Sequence, residues 1–445
     1  MDDILTLSSR YPTHRDFTIG YGPDGVRADA SLLSSTAFRC GILVAARSIQ
    51  KKKAVGVMLS ASSGPPEQNG IRLVDPSGDT IDTPWELCAN ALCLAKTNEV
   101  FCEVLREIIP TIPKHVCANK VVLVGRDTRE SGKALVEALK DGVSGLGVKI
   151  IDIGTVTTPQ LHFYVRCCNQ YSHIDKQVLI PSLYYTTFEN SFEILFKPDA
   201  PKRLYVDCAN GVGHSVMAKL APKLGSLGLW VSLRNTGDGS LNDRCGASYV
   251  FSEKVFPDNF DDFPEWGYGC SMNGDADRLV YFTRRGGEFV LLDGDRLAVL
   301  FGIYLKYLIL NIEDFPEYTV GIVRTTDANG GATDFIRKGM RMETVISRPG
   351  IKRIHETAMT YDIGIYFEAN GHGTVLFDPE FIKKIEALDD DNIHVLKFLA
   401  IANLMNQDVG DAVATMLFAE AVFTTGFSLR DWIELYEDET HDDHW

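Results

Sequence analysis

Oxygen-bearing side chains recur at alternate positions in "MNGDADRLVYF": Asn273, Asp275 and Asp277, with Gly274 and Ala276 between them. In extended or looped backbone, alternate side chains point the same way, so three oxygens can converge on one point. Hard cations such as Mg2+ take oxygen ligands, and two carboxylates with one neutral amide form a usable set. Arg278 follows directly, placed to contact a phosphate. The same residues also suit an acidic turn ahead of the strand "LVYF". In "KAVGVMLSASSGPPEQNG" a β-prone run feeds three serines, Ser60, Ser62 and Ser63. A hydroxyl at a strand's end can be a nucleophile or a phosphoryl carrier, and it can equally cap a turn. "YGPDGVR" (to Arg27) and "GRDTR" (Gly125 to Arg129) each deliver an arginine from a tight turn, suited to a phosphoryl group or to a surface carboxylate. "EANGHG" sets Glu368, Asn370 and His372 on a glycine-framed loop, residue types that grip sugar hydroxyls. "RPGIKRIH" adds Lys352, Arg353 and His355, which read as an exposed helix face or an anion site.

Elements that could position these residues are legible along the chain. β-branched runs end in Gly/Asp/Thr-rich turns and lead into helix-period segments, as in "VVLVGRDTRESGKALVEALKDGV". There a strand is expected to end at Gly125, and a helix to start near Glu130 and bury Ala134, Leu135, Ala138 and Leu139. The theme recurs from Lys149, Arg203, Thr319 and Asp362. Alternating strands and helices imply α/β domains whose ligands sit at the carboxyl ends of the strands. At 445 residues about three domains are expected. Their boundaries are set by the polar stretch after Cys168 and by the segment around Asp293, giving residues 1–172, 173–290 and 291–445. A last helix is expected over Ile393–Gln407, followed by a frayed acidic tail, "YEDETHDDHW".

The chain carries 44 basic and 60 acidic residues, a formal charge of −16. Such a field repels nucleic acid and anionic membrane surfaces, so neither is an expected partner. The start, "MDDILTLSSR", lacks the basic-then-apolar pattern of a signal peptide. "LAVLFGIYLKYLIL" is broken by Lys306 and too short to span a bilayer, so it reads as a buried helix. Ten scattered cysteines without a C-x-x-C pair fit reduced thiols and a cytoplasmic location.

Taken in order, "NGIRLVDPSG", "GRDTR", "TTPQLH", "VDCANGVG", "GDADRLVY", "LLDGD", "GIYFEANGHGT" and "NQDVGDA" resemble the α-D-phosphohexomutase superfamily, and within it the phosphoacetylglucosamine mutase family. The resemblance runs from Tyr21 to about Tyr436. It implies three consecutive α/β domains with mixed, largely parallel sheets. It also implies that Ser62 carries a phosphoryl group in the resting enzyme, with Arg126 and Lys352 as basic catalytic residues. Ser62, Asn273, Asp275 and Asp277 would hold one Mg2+. Arg27, Arg278, Glu368, Ala369, Asn370 and His372 would bind the substrate, a small-molecule sugar phosphate. The implied reaction interconverts N-acetylglucosamine 6-phosphate and 1-phosphate through a hexosamine bisphosphate, in UDP-N-acetylglucosamine biosynthesis.

Four departures stand out. Ser63 and Gly64 replace the family's His and Asn after the serine, and Asn273 replaces the first Asp of D-G-D-A-D-R, which lowers the expected Mg2+ affinity. "YGPDGVR" and "RTTDANG" differ from the family's Y-G-T-A-G-F-R and Q-T-A-Y-A-N-G. The chain stops at Trp445 without the R-P-S-G-T-E loop of a fourth domain. Three functions stay open at this point: a mutase, an impaired paralogue or truncated form that binds sugar phosphate without turnover, and a metal-dependent phosphatase.

Overall fold

The computed structural model describes residues 2–14, 16–17, 19–108, 120–171, 179–326, 328–348, 350–388 and 391–438. The chain divides into two units, Met1–Ser182 and Leu183–Trp445.

The first unit is built on five strands: β1 (Val26–Asp29), β2 (Ala54–Leu59), β3 (Gln68–Val74), β4 (Val121–Arg126) and β5 (Lys149–Thr155). Their order is β1-β3-β2-β4-β5. β2, β4 and β5 run parallel, and β3 and β1 add antiparallel pairs at one edge. Every residue of β2 is buried, as an unbroken apolar run with both faces covered demands. The covering helices include Ser34–Lys51, Gly132–Ser144 and Thr158–Gln170. The last of these opens on "TTPQ", where Thr157 and Gln160 form a reciprocal capping box.

The second unit holds two sheets. β6 (Lys202–Asp207), β7 (Leu229–Arg234), β8 (Tyr268–Met272), β9 (Leu279–Arg285) and β10 (Glu288–Leu292) are ordered β10-β9-β8-β6-β7. β11 (Val320–Thr325), β12 (Glu343–Ser347), β13 (Ile363–Phe367) and β14 (Gly373–Phe377) are ordered β12-β11-β13-β14. Each has a parallel centre and an antiparallel hairpin at one edge. The expected α/β class with mixed sheets is what the fold shows. The serine loop follows β2, "GRDTR" closes β4, the "NGDADR" loop follows β8 and "EANGHG" follows β13. All four lie at the carboxyl ends of strands with parallel partners.

Several local expectations need correction. The helix after β4 starts at Gly132 and buries Val136, while Ala134 is exposed, because Asp127–Ser131 is spent on the turn. The polar stretch after Cys168 contains a helix, Leu179–Leu195, which buries Tyr184, Phe188, Phe192 and Leu195. That stripe has helical period, hidden among Thr, Asn and Glu. The helix expected over Ile393–Gln407 ends at Leu404 and is not the last. Ala412–Val422, capped by Asp411 and wholly buried, and Leu429–Ile433, capped by Ser428, follow it. Of the acidic tail, the Tyr436 carbonyl and Asp438 accept hydrogen bonds from Arg296, and residues 439–445 lie outside the described residues. Among the described residues no helix is long and apolar enough to cross a membrane.

Candidate active site

In the first unit, β2 delivers the chain into Ser60–Gly64. Ser62 is buried, at 3% exposure, and sits in the left-handed region at φ +53°. For a residue with a Cβ this costs about 1–2 kcal/mol, and such strain is usually held where function needs it. The brace is visible. The Ser62 amide donates to Ser60 Oγ at 2.8 Å, and the Gly64 amide to the Ala61 carbonyl at 2.9 Å. Arg129, 4% exposed, donates to the Gly64 carbonyl at 2.5 Å and the Ser62 carbonyl at 3.4 Å. Asp127 pairs with Arg129 and hydrogen-bonds Ser60; burial raises its pKa, and Arg129 opposes that rise.

Arg126, expected at the phosphoryl group, pairs with Asp152 at 2.7 Å. The arginine of this motif that contacts the serine loop is Arg129, which the sequence reading did not single out. No periodicity marks it, because it lies in the turn beyond β4. Arg27 is exposed on β1, in register with Gly70, whose carbonyl accepts from the Ser60 amide.

In the second unit the carboxylate loop joins β8 to β9. Asn273, Asp275 and Asp277 are 0%, 2% and 1% exposed, and Ala276 adopts φ +57°. Asn273 Oδ1 accepts from the Asp277 and Arg278 amides at 3.0 and 3.1 Å. Its Nδ2 donates to Asp275 Oδ1 at 3.0 Å and to Asp277 Oδ1 at 2.7 Å. Asn273 therefore turns N–H groups, not oxygen, towards the two carboxylates. The three-oxygen set expected for Mg2+ is not formed as the loop is folded, although Asp275 and Asp277 have the donor chemistry for it. Among the described residues no group of three or more His, Cys, Asp or Glu side chains could hold a metal ion.

The glycine-framed loop is fastened onto this one. The Leu279 amide donates to the Gly371 carbonyl at 3.1 Å, and Arg278 and His372 form an antiparallel bridge. Gly371 has φ +86°, and a Cβ there would lie 2.0 Å from the Leu279 carbonyl oxygen, so no other residue fits. His372, 2% exposed, places Nδ1 3.5 Å from Asp277 Oδ2. Within the loop, Asn370 Oδ1 accepts from the His372 amide and its Nδ2 donates to Glu368 Oε2 at 3.3 Å. The Ala369 carbonyl accepts from the Gly294 amide at 3.0 Å, where "LLDGD" opens a helix capped by Asp293. Burial and then neighbouring Asp295 push the Asp293 pKa up to about 7. "NQDVGDA" completes the support, with the Ala412 amide donating to the Ala276 carbonyl at 3.0 Å. Residues 273–278 and 368–372 thus form one constellation. Lys352 stands in the first turn of the helix Ile351–Ala358, half-buried, with His355 one turn on bonded to the Tyr366 hydroxyl of β13.

Comparison with known proteins identifies the family and the fold. Residues 293–427 match the family described as "Phosphoacetylglucosamine mutase AMG1, domain III". Residues 93–180 match "Phosphoglucomutase/phosphomannomutase, alpha/beta/alpha domain I". The chain is 38% identical to phosphoacetylglucosamine mutase of Arabidopsis thaliana, over 98% of this chain and 83% of that protein. It is also 38% identical to the Homo sapiens enzyme, over 98% and 81%. Among solved structures, it superposes on Aspergillus fumigatus N-acetylphosphoglucosamine mutase in complex with GlcNAc-6P and magnesium. That match has TM-score 0.87 and 33% identity, covering 98% of this chain and 83% of that one. A serine-to-alanine variant of the A. fumigatus enzyme in complex with glucose 1,6-bisphosphate matches with TM-score 0.89 and 32% identity over the same shares. By identity and fold together, this chain belongs to the phosphoacetylglucosamine mutase family.

Proposed function

We propose that this chain interconverts N-acetylglucosamine 6-phosphate and N-acetylglucosamine 1-phosphate. The carrying observation is the fastening of the Glu368–His372 loop onto the Asn273–Arg278 loop, which joins sugar-gripping side chains to charge-handling ones. Ser62 is the phosphoryl carrier. Its phosphate passes to the sugar's C1 oxygen, breaking the P–O bond to Ser62 and forming a hexosamine 1,6-bisphosphate. The bisphosphate reorients and returns its 6-phosphoryl group to Ser62, leaving the 1-phosphate. Such transfer depends on positioning and on neutralising charge. Arg27 and Arg278 bind phosphate oxygens, Lys352 supplies positive charge, Arg126 does so by exchanging its Asp152 partner for phosphate, and Glu368, Asn370 and the Ala369 backbone orient the sugar hydroxyls, with His372 adjacent. Of the residues expected to hold Mg2+ (Ser62, Asn273, Asp275, Asp277), the two buried aspartates carry the carboxylate oxygens that would coordinate it. Mg2+ when bound there would offset phosphoryl charge.

The domains are assigned to residues 1–172, 173–290 and 291–445, with the serine, carboxylate and sugar loops respectively. The setting is cytoplasmic, in UDP-N-acetylglucosamine biosynthesis, with a small-molecule sugar phosphate as partner; the −16 charge disfavours nucleic acid and anionic membranes.

The test is a coupled assay with N-acetylglucosamine 6-phosphate and a trace of the 1,6-bisphosphate. Product formation that disappears in Ser62→Ala supports the mutase. A second reading, binding of sugar phosphate without turnover, is favoured by the Asn273 amide between the two carboxylates. No product together with saturable sugar-phosphate binding would establish that reading instead, and release of free phosphate would indicate a phosphatase.

A further inference from the structure

We propose that the Asn273 side-chain amide takes the place of a divalent cation in this chain. It holds Asp275 and Asp277 together, so the carboxylate loop keeps its shape without metal and binds Mg2+ weakly. This deepens the reading of residues 273–278 given above, and its test does not depend on turnover.

The amide's hydrogen-bonding capacity is fully spent. Its two N–H bonds go to Asp275 Oδ1 and Asp277 Oδ1, and its oxygen takes the amides of Asp277 and Arg278. The orientation follows from the partners. Turned by 180°, the amide would set its oxygen against two carboxylates and its NH2 against two backbone N–H groups, replacing four attractions with four repulsions. Asn273 is fully buried, so water cannot take over any of these bonds. A cation approaching both aspartates meets the positive end of the amide at 2.7–3.0 Å from their oxygens. Mg2+ requires oxygen ligands in near-octahedral array, and an N–H supplies none. Asp277 Oδ2, on the far side of its carboxylate, faces His372 Nδ1 at 3.5 Å.

The isosteric change Asn273→Asp separates this picture from that of an ordinary metal loop. One oxygen of the new side chain can still accept from the Asp277 and Arg278 amides. The other then faces Asp275 and Asp277 as a third negative oxygen, an arrangement that needs a cation.

The experiment is calorimetric titration with MgCl2, together with thermal melting in EDTA and in Mg2+, of the natural chain, Asn273→Asp and Asn273→Ala. The natural chain is expected to melt within about 1 °C of the same midpoint in both conditions. Asn273→Asp is expected to melt several degrees lower in EDTA, recover in Mg2+ and bind Mg2+ at least about tenfold more tightly. Asn273→Ala, which removes the clamp and adds no ligand, is expected to melt below the natural chain in EDTA. The proposal is overturned if the natural chain binds Mg2+ as tightly as Asn273→Asp, or gains as large a midpoint shift. Should Asn273→Asp fail to fold even with Mg2+, an unchanged EDTA midpoint for Asn273→Ala still overturns it.

Discussion

Glu420 is expected to make the second unit less stable as pH rises. It lies on the helix Ala412–Val422 among alanine, valine, leucine and phenylalanine, and is 0% exposed. Oε2 accepts from the Tyr268 hydroxyl and Oε1 from the Tyr281 hydroxyl, both at 2.9 Å. Lys202 is the nearby cation, but its Nζ is committed to the Phe423 carbonyl at 2.6 Å. The thiol of Cys270 also feels the carboxylate. Burial outweighs the two tyrosines and the lysine, and pushes the Glu420 pKa from 4.5 up to about 7. A carboxyl with a raised folded-state pKa stabilises the fold fully below its unfolded value. That contribution is lost as pH rises through the folded value, here between about 4.5 and about 7. At 1.36 kcal/mol per unit the loss is about 3 kcal/mol. The assay is urea unfolding at stepped pH, followed by tryptophan fluorescence, because Trp432 packs edge-on against Tyr281 at 5.3 Å. Glu420→Gln keeps the shape and cannot ionise. The stability difference between the natural chain and Glu420→Gln should therefore fall by about 3 kcal/mol between pH 4.5 and pH 7.5. Asp411 and Asp293, raised to about 6 and about 7, titrate in the same sense but are present in both proteins and cancel. A difference that stays flat across the window refutes the reasoning.

Two further changes test the supports of the site. Gly371→Ala places a Cβ 2.0 Å from the Leu279 carbonyl at φ +86°, so it should cost about 2 kcal/mol or more in urea unfolding and raise KM for N-acetylglucosamine 6-phosphate more than it lowers kcat. An unchanged KM would show that the loop's docking does not orient the sugar. Arg129→Met strands the buried Asp127 charge and should cost about 3–5 kcal/mol, whereas adding Asp127→Asn should recover part of that loss. Additive losses in the double variant would remove the brace assigned to this pair.

How much of this could be read from residues alone depends on the distance over which each feature is decided. The strands from Val121, Lys149, Lys202, Val320 and Ile363 announce themselves through local β-branched runs. The loops at their carboxyl ends carry the unusual residue types, so the class of fold and the placing of the candidate loops were legible. The helix Leu179–Leu195 was not, because polar residues between its buried aromatics mask the period. Arg126 and Arg129 are three residues apart in one motif, and only packing shows that one faces Asp152 and the other the serine loop.

Asn273 marks the limit most clearly. Its neutral side chain is plain in the sequence, and from it a weaker cation site follows by charge count. Which end of the amide faces the carboxylates depends on two backbone N–H groups that the turn at Ala276, with φ +57°, brings back onto its oxygen. The fastening of residues 368–372 onto residues 273–278 likewise spans about ninety positions of chain, through hydrogen bonds that no local pattern encodes. Composition, periodicity and motif determined which residues could act. Tertiary structure decided which atoms meet, because hydrogen-bond direction and close backbone approach exist only once separate strands are packed side by side.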